Sequence, residues 1–558
     1  MEYIVVVAII LILITLSMLS LNKKKSISDL EKLRQDWGHP KSKNQFHFVR
    51  ISRYADAVKE KFHRLTDQTL DDIDFHRLFT FIDRTTSKVG QQFLYKKLIE
   101  PSNDTENHNE ELIKLLNDNT ILREAIQLQL IKLSDNDAYH ISSLFRKTFL
   151  ERPKWFNFLI LDLVVIFGLI ILSFKFQILL ISLLIPFTIN MVIHLWNKNN
   201  TFHFTWSIPQ LTILIDVSRE LLKNNALFNK PAEESVAKMR SFQRNARFIR
   251  FSGGGFQTEI GQYVFDMIKA LFLTEVFMIF KVARELKDKQ SSIITLFEYV
   301  GNIDASISIA SLRAGKLKTC KPVFCSAKKE IITKNIYHPL LKGCVENSLT
   351  ISKKSILITG SNMSGKSTFL RTLIINSILA QTIYTCFADE YTSPILKQFS
   401  SIRINDNLFE GKSYYFQEVN IMASLIAEVE QSHQNLFILD EVFKGTNAIE
   451  RIAAAKAILS YLNRGDNIVI VSTHDIELAD MLEDEYDLYH FTETIESDEL
   501  HFDHKLKPGQ LTTRNAIKLL ELANYPTDIT REARLLSSSL STARTLNINP
   551  APEKKTIE

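Results

Sequence analysis

Hydrophobic positions along the chain fall into three patterns. Tyr3 to Leu21 is a predominantly apolar run of nineteen residues without a charge, long enough to cross a bilayer as a helix. A second block, Trp155 to Trp196, is interrupted mainly by Asp162 and Lys175. It predicts two helices, roughly 155–174 and 176–196, turning at Lys175. Residues 26–150 and 205–330 instead mix charges with apolar positions at helical spacing, as in Leu78–Ile99. Gly253, Gly254 and Gly255 interrupt this stretch without a preceding strand and read as a flexible turn. From about residue 336 short β-rich runs (SILITG, NLFILD, NIVIVS) alternate with helical segments, the signature of a parallel α/β sheet. The end of the chain, NPAPEKKTIE, is polar and expected to be disordered.

Charges flanking the apolar runs set an expected topology. Lys23, Lys24 and Lys25 follow the first run, whereas Glu2 precedes it, so the N-terminus is expected outside and the following chain in the cytoplasm. A signal peptide is the rival reading, but the run lacks a basic leader and a small-residue cleavage site. Arg152, Lys154 and Lys198 bracket the second block, with Trp155 and Trp196 at interfacial positions. A buried helical pair in a soluble domain is the alternative there. The expectation is a multi-pass protein of the cytoplasmic or inner membrane with its body in the cytoplasm.

Composition narrows the class further. With 45% apolar and 23% charged residues over 558 positions, the chain is globular rather than intrinsically disordered. Only 16 Gly and 13 Pro argue against collagen-like, glycine-linker and propeller architectures. A net charge of +4 confines any nucleic-acid surface to a local patch. Cys320, Cys325, Cys344 and Cys386 are too few for a disulfide scaffold. Cys320 and Cys325 lack a second pair, so zinc is not expected and reduced thiols are.

The chemistry concentrates in the last 220 residues or so. Strand Ser355–Thr359 runs into Gly360, Ser361, Asn362, Met363, Ser364, Gly365, Lys366, Ser367 and Thr368, with a helical pattern after it. This is the phosphate-loop spacing in strand–loop–helix context, where backbone N–H groups and the helix dipole cradle phosphates. Lys366 is expected at the β- and γ-phosphates of a nucleoside triphosphate, and Ser367 on Mg²⁺. NLFILDE ends a second apolar strand in Asp440, suited to hold Mg²⁺, and Glu441, suited to orient water. A third strand ends at Thr473-His474-Asp475. There His474 is placed to sense the γ-phosphate, a surface histidine being the plainer reading.

These motifs resemble the MutS family of DNA mismatch-repair ATPases. GSNMSGKSTFLRT is similar to the family's phosphate loop, LDEVFKGTNAIERIAAAKAI to its Walker B and following loop, and STHDIELADML to its histidine switch. DNLFEGKSYYFQEV resembles the loop that completes the partner subunit's ATP site, with Ser413 at the serine position. YHPL at Tyr337–Leu340 resembles the opening of the ATPase domain, Leu78–Pro101 the start of the helical core, and Lys507–Pro526 the C-terminal helical segment. Ser364 stands where the family usually has Gly, and Lys412 where it has Arg. Only about fifty residues separate the first apolar run from the core-like segment. A mismatch-recognition domain does not fit there, and the Phe-x-Glu triplets present lie in other contexts.

The resemblance implies an α/β P-loop NTPase domain of ABC/MutS type, preceded by an all-α core, with three predicted transmembrane helices added. The expected segments are an anchor at 1–25, a helical core at 26–150, and a membrane hairpin at 151–198. A helical core or lever at 199–330, the ATPase domain with its C-terminal helices at 331–545, and a tail at 546–558 complete them. It further implies ATP and Mg²⁺, a homodimer with Glu441, His474 and a trans-acting Ser413 at each site, and coupling to DNA. Arg240, Arg244 and Arg247, on one helical face, are the DNA candidates, with a solvated face or anionic lipid as alternatives. The rival class is an ABC-type transport or membrane-remodelling ATPase without a DNA role. Against it stand the few membrane helices and the lack of an LSGGQ-like run.

Overall fold

The computed structural model describes residues 20, 24–42, 46–58, 62–103, 109–145, 153–200, 202–250, 267–268, 270–326, 328–361, 363–403, 414–431, 433–496, 499–511, 516–523 and 525–548. All of the first apolar run but Ser20, the Gly253–Gly255 turn, Asn362, Ser413 and the tail beyond Ile548 lie outside them. The chain forms two compact units, one of Met1–Arg64 and Asp74–Leu317, the other of Leu65–Ile73 and Lys318–Glu558. The second unit therefore starts ahead of residue 331 and borrows a short segment from the helical half.

The first unit is helical, and polar residues decide where its helices break. The run at Leu78–Ile99 is two helices, Phe75–Ile82 and Lys88–Ile99. Ser87 caps the second by accepting the Gly90 N–H. Asp304, fully buried, accepts from Thr86 N, Ser87 N and Ser87 Oγ at 2.8, 2.7 and 2.5 Å, pinning the turn. A side chain at Gly90 would run into that carboxylate. Helix Gln290–Arg313, which carries Asp304, packs its apolar side against Tyr54, Leu130, Leu214 and Phe242 in one core.

Among the described residues three helices are long and apolar enough to cross a membrane, and burial separates them. In Gln290–Arg313, 72% of the apolar window is buried, so it is a core helix. In Lys154–Ser173 and Leu179–Trp196 only 22% and 11% are, and Phe158, Val164, Phe174, Ile185 and Val192 lie exposed. The hairpin's helical pieces run Phe158–Ser173, Leu179–Ser182 and Leu184–Asn200. Inside it, fully buried Asn190 donates to Asp162 Oδ2 at 2.7 Å and to Leu271 O at 2.8 Å. At its base Trp155 meets Trp196 edge to face, and Phe156 and Leu159 pack on Val276 and Phe280.

The second unit holds strands β1 Val323–Phe324, β2 Glu330–Ile336, β3 Asn347–Ser352, β4 Ser355–Thr359, β5 Glu390–Ser393, β6 Lys397–Ser401, β7 Asn435–Asp440, β8 Ile468–Thr473, β9 Tyr486–His490, β10 Glu493–Glu496, β11 Glu499–Phe502 and β12 Lys507–Pro508. Among the described residues the main sheet runs β12-β9-β4-β8-β7-β6, parallel except for β12. Its central strands are buried end to end, as a parallel sheet covered on both faces requires. A smaller sheet, β1-β5-β2-β3, and the hairpin β10–β11 accompany it. Edge strand β6 does not stay bare. Asp72, from helix Asp67–Asp72, accepts Ser400 Oγ, Ile402 N and Arg403 N at 2.7, 3.0 and 2.7 Å. Thr69 Oγ1 accepts Ser400 N at 3.1 Å, so borrowed side chains complete the edge.

Candidate functional site

Strands β4, β7 and β8 are neighbours in the sheet, so their C-terminal ends bring the three sequence motifs to one edge. That is where an open parallel sheet places ligands. β4 feeds Gly360, whose φ of 153° and close approach to Phe491 O leave no room for a side chain. Gly365, at φ 112°, caps helix Lys366–Ile383 in the left-handed region. Met363 also has positive φ and is 82% exposed, a loop tip rather than a core anchor. Ser364, buried, ties the loop to itself through Oγ to Ser361 O at 2.8 Å. Thr368 lies half-buried on the helix's first turn and accepts from Thr372 Oγ1.

Lys366 is nearly fully buried, and its Nζ donates to Gly360 O at 2.7 Å and Ser361 O at 2.9 Å. Burial pulls its ammonium down to about 8, against the pull of Glu441 and Asp440. Ser367 Oγ donates to Asp440 Oδ2 at 2.5 Å, and Ser472 Oγ bonds the other carboxylate oxygen. A hydroxyl and a carboxylate converging beside a phosphate loop form the hard-oxygen set that suits Mg²⁺. These donors fit the ion the motif implies, with the remaining positions left to phosphate and water.

Glu441 follows β7 in the left-handed region, φ 57°, with its N–H bonded to Ser472 O at 2.9 Å. The turn aims its carboxylate at His474, whose Nε2 lies 2.7 Å from Oε1, and Lys444 Nζ stands 3.4 Å from Oε2. Hydrogen bonding to His474 is the main cause that holds the Glu441 carboxyl down at about 2, overcoming its burial. His474 Nε2 is also 3.4 Å from Lys366 Nζ, so Lys366, Glu441 and His474 form one polar cluster.

Several positioning side chains around this cluster were given no role from the sequence, although Arg451 and Glu418 lie within the motif segments LDEVFKGTNAIERIAAAKAI and DNLFEGKSYYFQEV. Arg451, on helix Ala448–Leu462, grips Asp475 with two bonds, Nε to Oδ2 at 3.0 Å and Nη2 to Oδ1 at 2.7 Å. This fixes the turn next to His474. Buried Glu418 accepts Lys444 N at 3.0 Å and Gly445 N at 3.3 Å, bracing the loop after Glu441. Glu493 accepts Ser361 Oγ at 2.6 Å, and His504 Nδ1 sits 3.0 Å from Ser364 O. Glu493 and His504 offered no sequence signal beyond polarity, which surface residues share. In the first unit, Arg240 and Arg244 are exposed on helix Arg240–Arg250, while the Arg247 side chain lies outside the described residues.

A parallel sheet with a phosphate loop after β4, an acid pair after β7 and a histidine after β8 defines a P-loop nucleotide-binding domain. The MutS domain V family model matches residues 356–541. The chain is 32% identical to the DNA mismatch repair protein MutS of Lactobacillus delbrueckii over 249 residues, 42% of this chain and 28% of that protein. Against MutS of Pseudothermotoga lettingae it is 30% identical over 266 residues, 46% of this chain and 32% of the relative. For Thermus thermophilus MutS the figures are 29% over 211 residues, 37% and 26%. The similarity to MutS proteins lies in the C-terminal half of the chain, which carries the match to MutS domain V. Its matched region spans about a quarter to a third of the length of these curated relatives.

Proposed function

We propose that this chain is a membrane-anchored MutS-type ATPase that couples ATP binding and hydrolysis in a homodimer to DNA binding. The carrying observation is the convergence of Lys366, Ser367, Asp440, Glu441 and His474 on one sheet edge. In this reading Lys366 and the loop N–H groups hold the triphosphate, and Ser367 and Asp440 hold Mg²⁺, which neutralises phosphate charge when bound. Glu441, ionised and braced by His474, orients the attacking water. Ser413 of the second subunit completes the site, so ATP favours the closed dimer and its hydrolysis releases it. The exposed hairpin Lys154–Trp196, with its tryptophans at the base, supports a bilayer anchor. Arg240 and Arg244 supply the basic face offered to DNA phosphates.

The test is ATP turnover by the detergent-solubilised protein with and without duplex or branched DNA, using Lys366→Ala as the background. Stimulation of several-fold that fades with salt is the expected result. Robust turnover indifferent to every DNA form would instead favour a transport or remodelling ATPase anchored by the same hairpin.

A further inference from the structure

The geometry around the start of the second unit points to a use for two cysteines that the nucleotide chemistry leaves idle. Cys320 and Cys386 face each other in an isolated antiparallel bridge. Cys320 N donates to Cys386 O at 2.9 Å, and Cys386 N donates to Cys320 O at 2.9 Å. Reciprocal bonds of that kind hold two residues directly opposite, with Cα atoms about 5.5 Å apart and side chains on one face. That spacing falls within the range disulfides span.

The two thiols are not equivalent. Cys320 is half-buried and Cys386 fully buried. A hydrogen bond from Cys386 draws the Cys320 thiol below its ordinary value, although burial, Asp389 and Glu390 oppose it. Lys318 pairs with Asp389 and offsets the charge of that carboxylate. Cys386 Sγ in turn lies 3.6 Å from Asn376 O, a carbonyl of the phosphate-loop helix. The more accessible sulfur is the one drawn towards its thiolate, and the bridge sets the sheltered side chain on the same face.

We propose that Cys320 and Cys386 are a redox pair that closes to a reversible disulfide when a peroxide oxidises Cys320. The Cys320 thiolate sulfur attacks one peroxide oxygen and breaks the O–O bond, and the departing oxygen leaves as water after taking up a proton. The Cys386 thiolate then attacks the resulting sulfenic sulfur and expels its hydroxyl, which takes a proton and leaves as a second water. Two thiols and one peroxide thus become one disulfide and two waters. A disulfide across a hydrogen-bonded antiparallel pair must draw its Cβ atoms together. It therefore forms under strain and stays reducible by a cellular thiol such as glutathione. Once closed, it ties residue 320, just ahead of β1, to residue 386, just past the helix that begins at Lys366. The back end of the nucleotide-binding helix then loses freedom that the dithiol form keeps.

The experiment uses the full chain in detergent, with Cys325→Ser and Cys344→Ser leaving only this pair. Hydrogen peroxide is added, and non-reducing peptide mapping by mass spectrometry follows the product. The expected result is a loss of two hydrogens, one cross-linked Cys320–Cys386 peptide pair, and full reversal by glutathione. Cross-linking should run at least about tenfold faster in the folded protein than in urea, because the fold presents the sulfurs to each other. Cys386→Ser, checked for folding by circular dichroism, should trap the sulfenic acid at Cys320 as a dimedone adduct. Sulfinic acid on Cys320 with Cys386 still open to alkylation would overturn the proposal. So would equal rates in folded protein and urea, which needs no core substitution to measure.

Discussion

Glu441 and His474 meet across the C-terminal edge of the sheet, carboxylate oxygen to imidazole nitrogen, at 2.7 Å. With its carboxyl held at about 2, Glu441 is ionised at every physiological pH and is a weak base. It suits orientation and polarisation of water better than full proton removal. Glu441→Ala should therefore bind ATP normally, accumulate the ATP-loaded closed dimer and lose at least about a hundredfold in kcat. Single-turnover kinetics with size-exclusion chromatography check both halves. The depressed carboxyl also stabilises the fold above its ordinary value near 4.5, and that contribution disappears as pH falls towards about 2. His474→Ala removes the main cause, so its acid unfolding midpoint should lie at higher pH.

Lys366 gives the opposite pH signature. Burial lowers its ammonium to about 8, yet triphosphate binding needs the charged form. Affinity for ATP should fall as pH rises through about 8, approaching a tenfold loss per pH unit. Titration with a fluorescent ATP analogue from neutral to alkaline pH reads this directly. Lys366→Ala should bind too weakly to measure in the same assay and show no pH step.

Arg451 and Asp475 hold the histidine turn through a two-point grip. Arg451→Lys keeps the charge but loses the fork, so kcat should drop roughly tenfold with KM little changed. Asp475→Asn should do the same, and the double variant should be no worse than either. A larger loss in the double variant would mean the two side chains act separately.

Ser413 tests the dimeric site. Ser413→Arg should block closure sterically while leaving each subunit's own ATP binding almost intact. When it is mixed with Lys366→Ala, one composite site of the mixed dimer carries both defects and the other carries neither. Hydrolysis should then partly recover from two inactive proteins. Mixed dimers without recovery would show that Ser413 serves its own subunit's nucleotide.

The hairpin predicts a labelling pattern in intact cells. With reactive native cysteines replaced, Lys175→Cys should label from outside with a membrane-impermeant maleimide, and a cysteine near Lys198 should not. Protection of both positions would instead place the hairpin within protein.

The nucleotide motifs were legible because their chemistry is local. A strand, a glycine loop and a helix set the backbone of Gly360–Thr368 within a few residues of one another. The helical half was legible in type but not in detail. The run at Leu78–Ile99 looks continuous by periodicity, yet Asp83 and Ser87 end one helix and start the next. Helix Gln290–Arg313 meets a length-and-apolarity test for a membrane span, but Tyr54 Oη bonds Glu298 at 2.9 Å and Asp304 anchors a turn inside the core. Asp72, Glu418, Arg451 and Glu493 act on partners far along the chain. A charged residue in sequence carries no mark of which distant backbone it will serve.

The short helix Asp67–Asp72 has a practical consequence for anyone dissecting the protein. Cutting at Lys318 yields what looks like a self-contained nucleotide-binding fragment, yet it discards the only described cap on β6. The N–H groups of Ser400, Ile402 and Arg403 would then be exposed as an adhesive sheet margin, open to a second fragment in place of Asp72. Self-association of such a fragment would report a missing peptide of nine residues, Leu65–Ile73, rather than a native oligomer. Supplying that peptide, or grafting it ahead of Lys318 through a flexible linker, restores the severed margin.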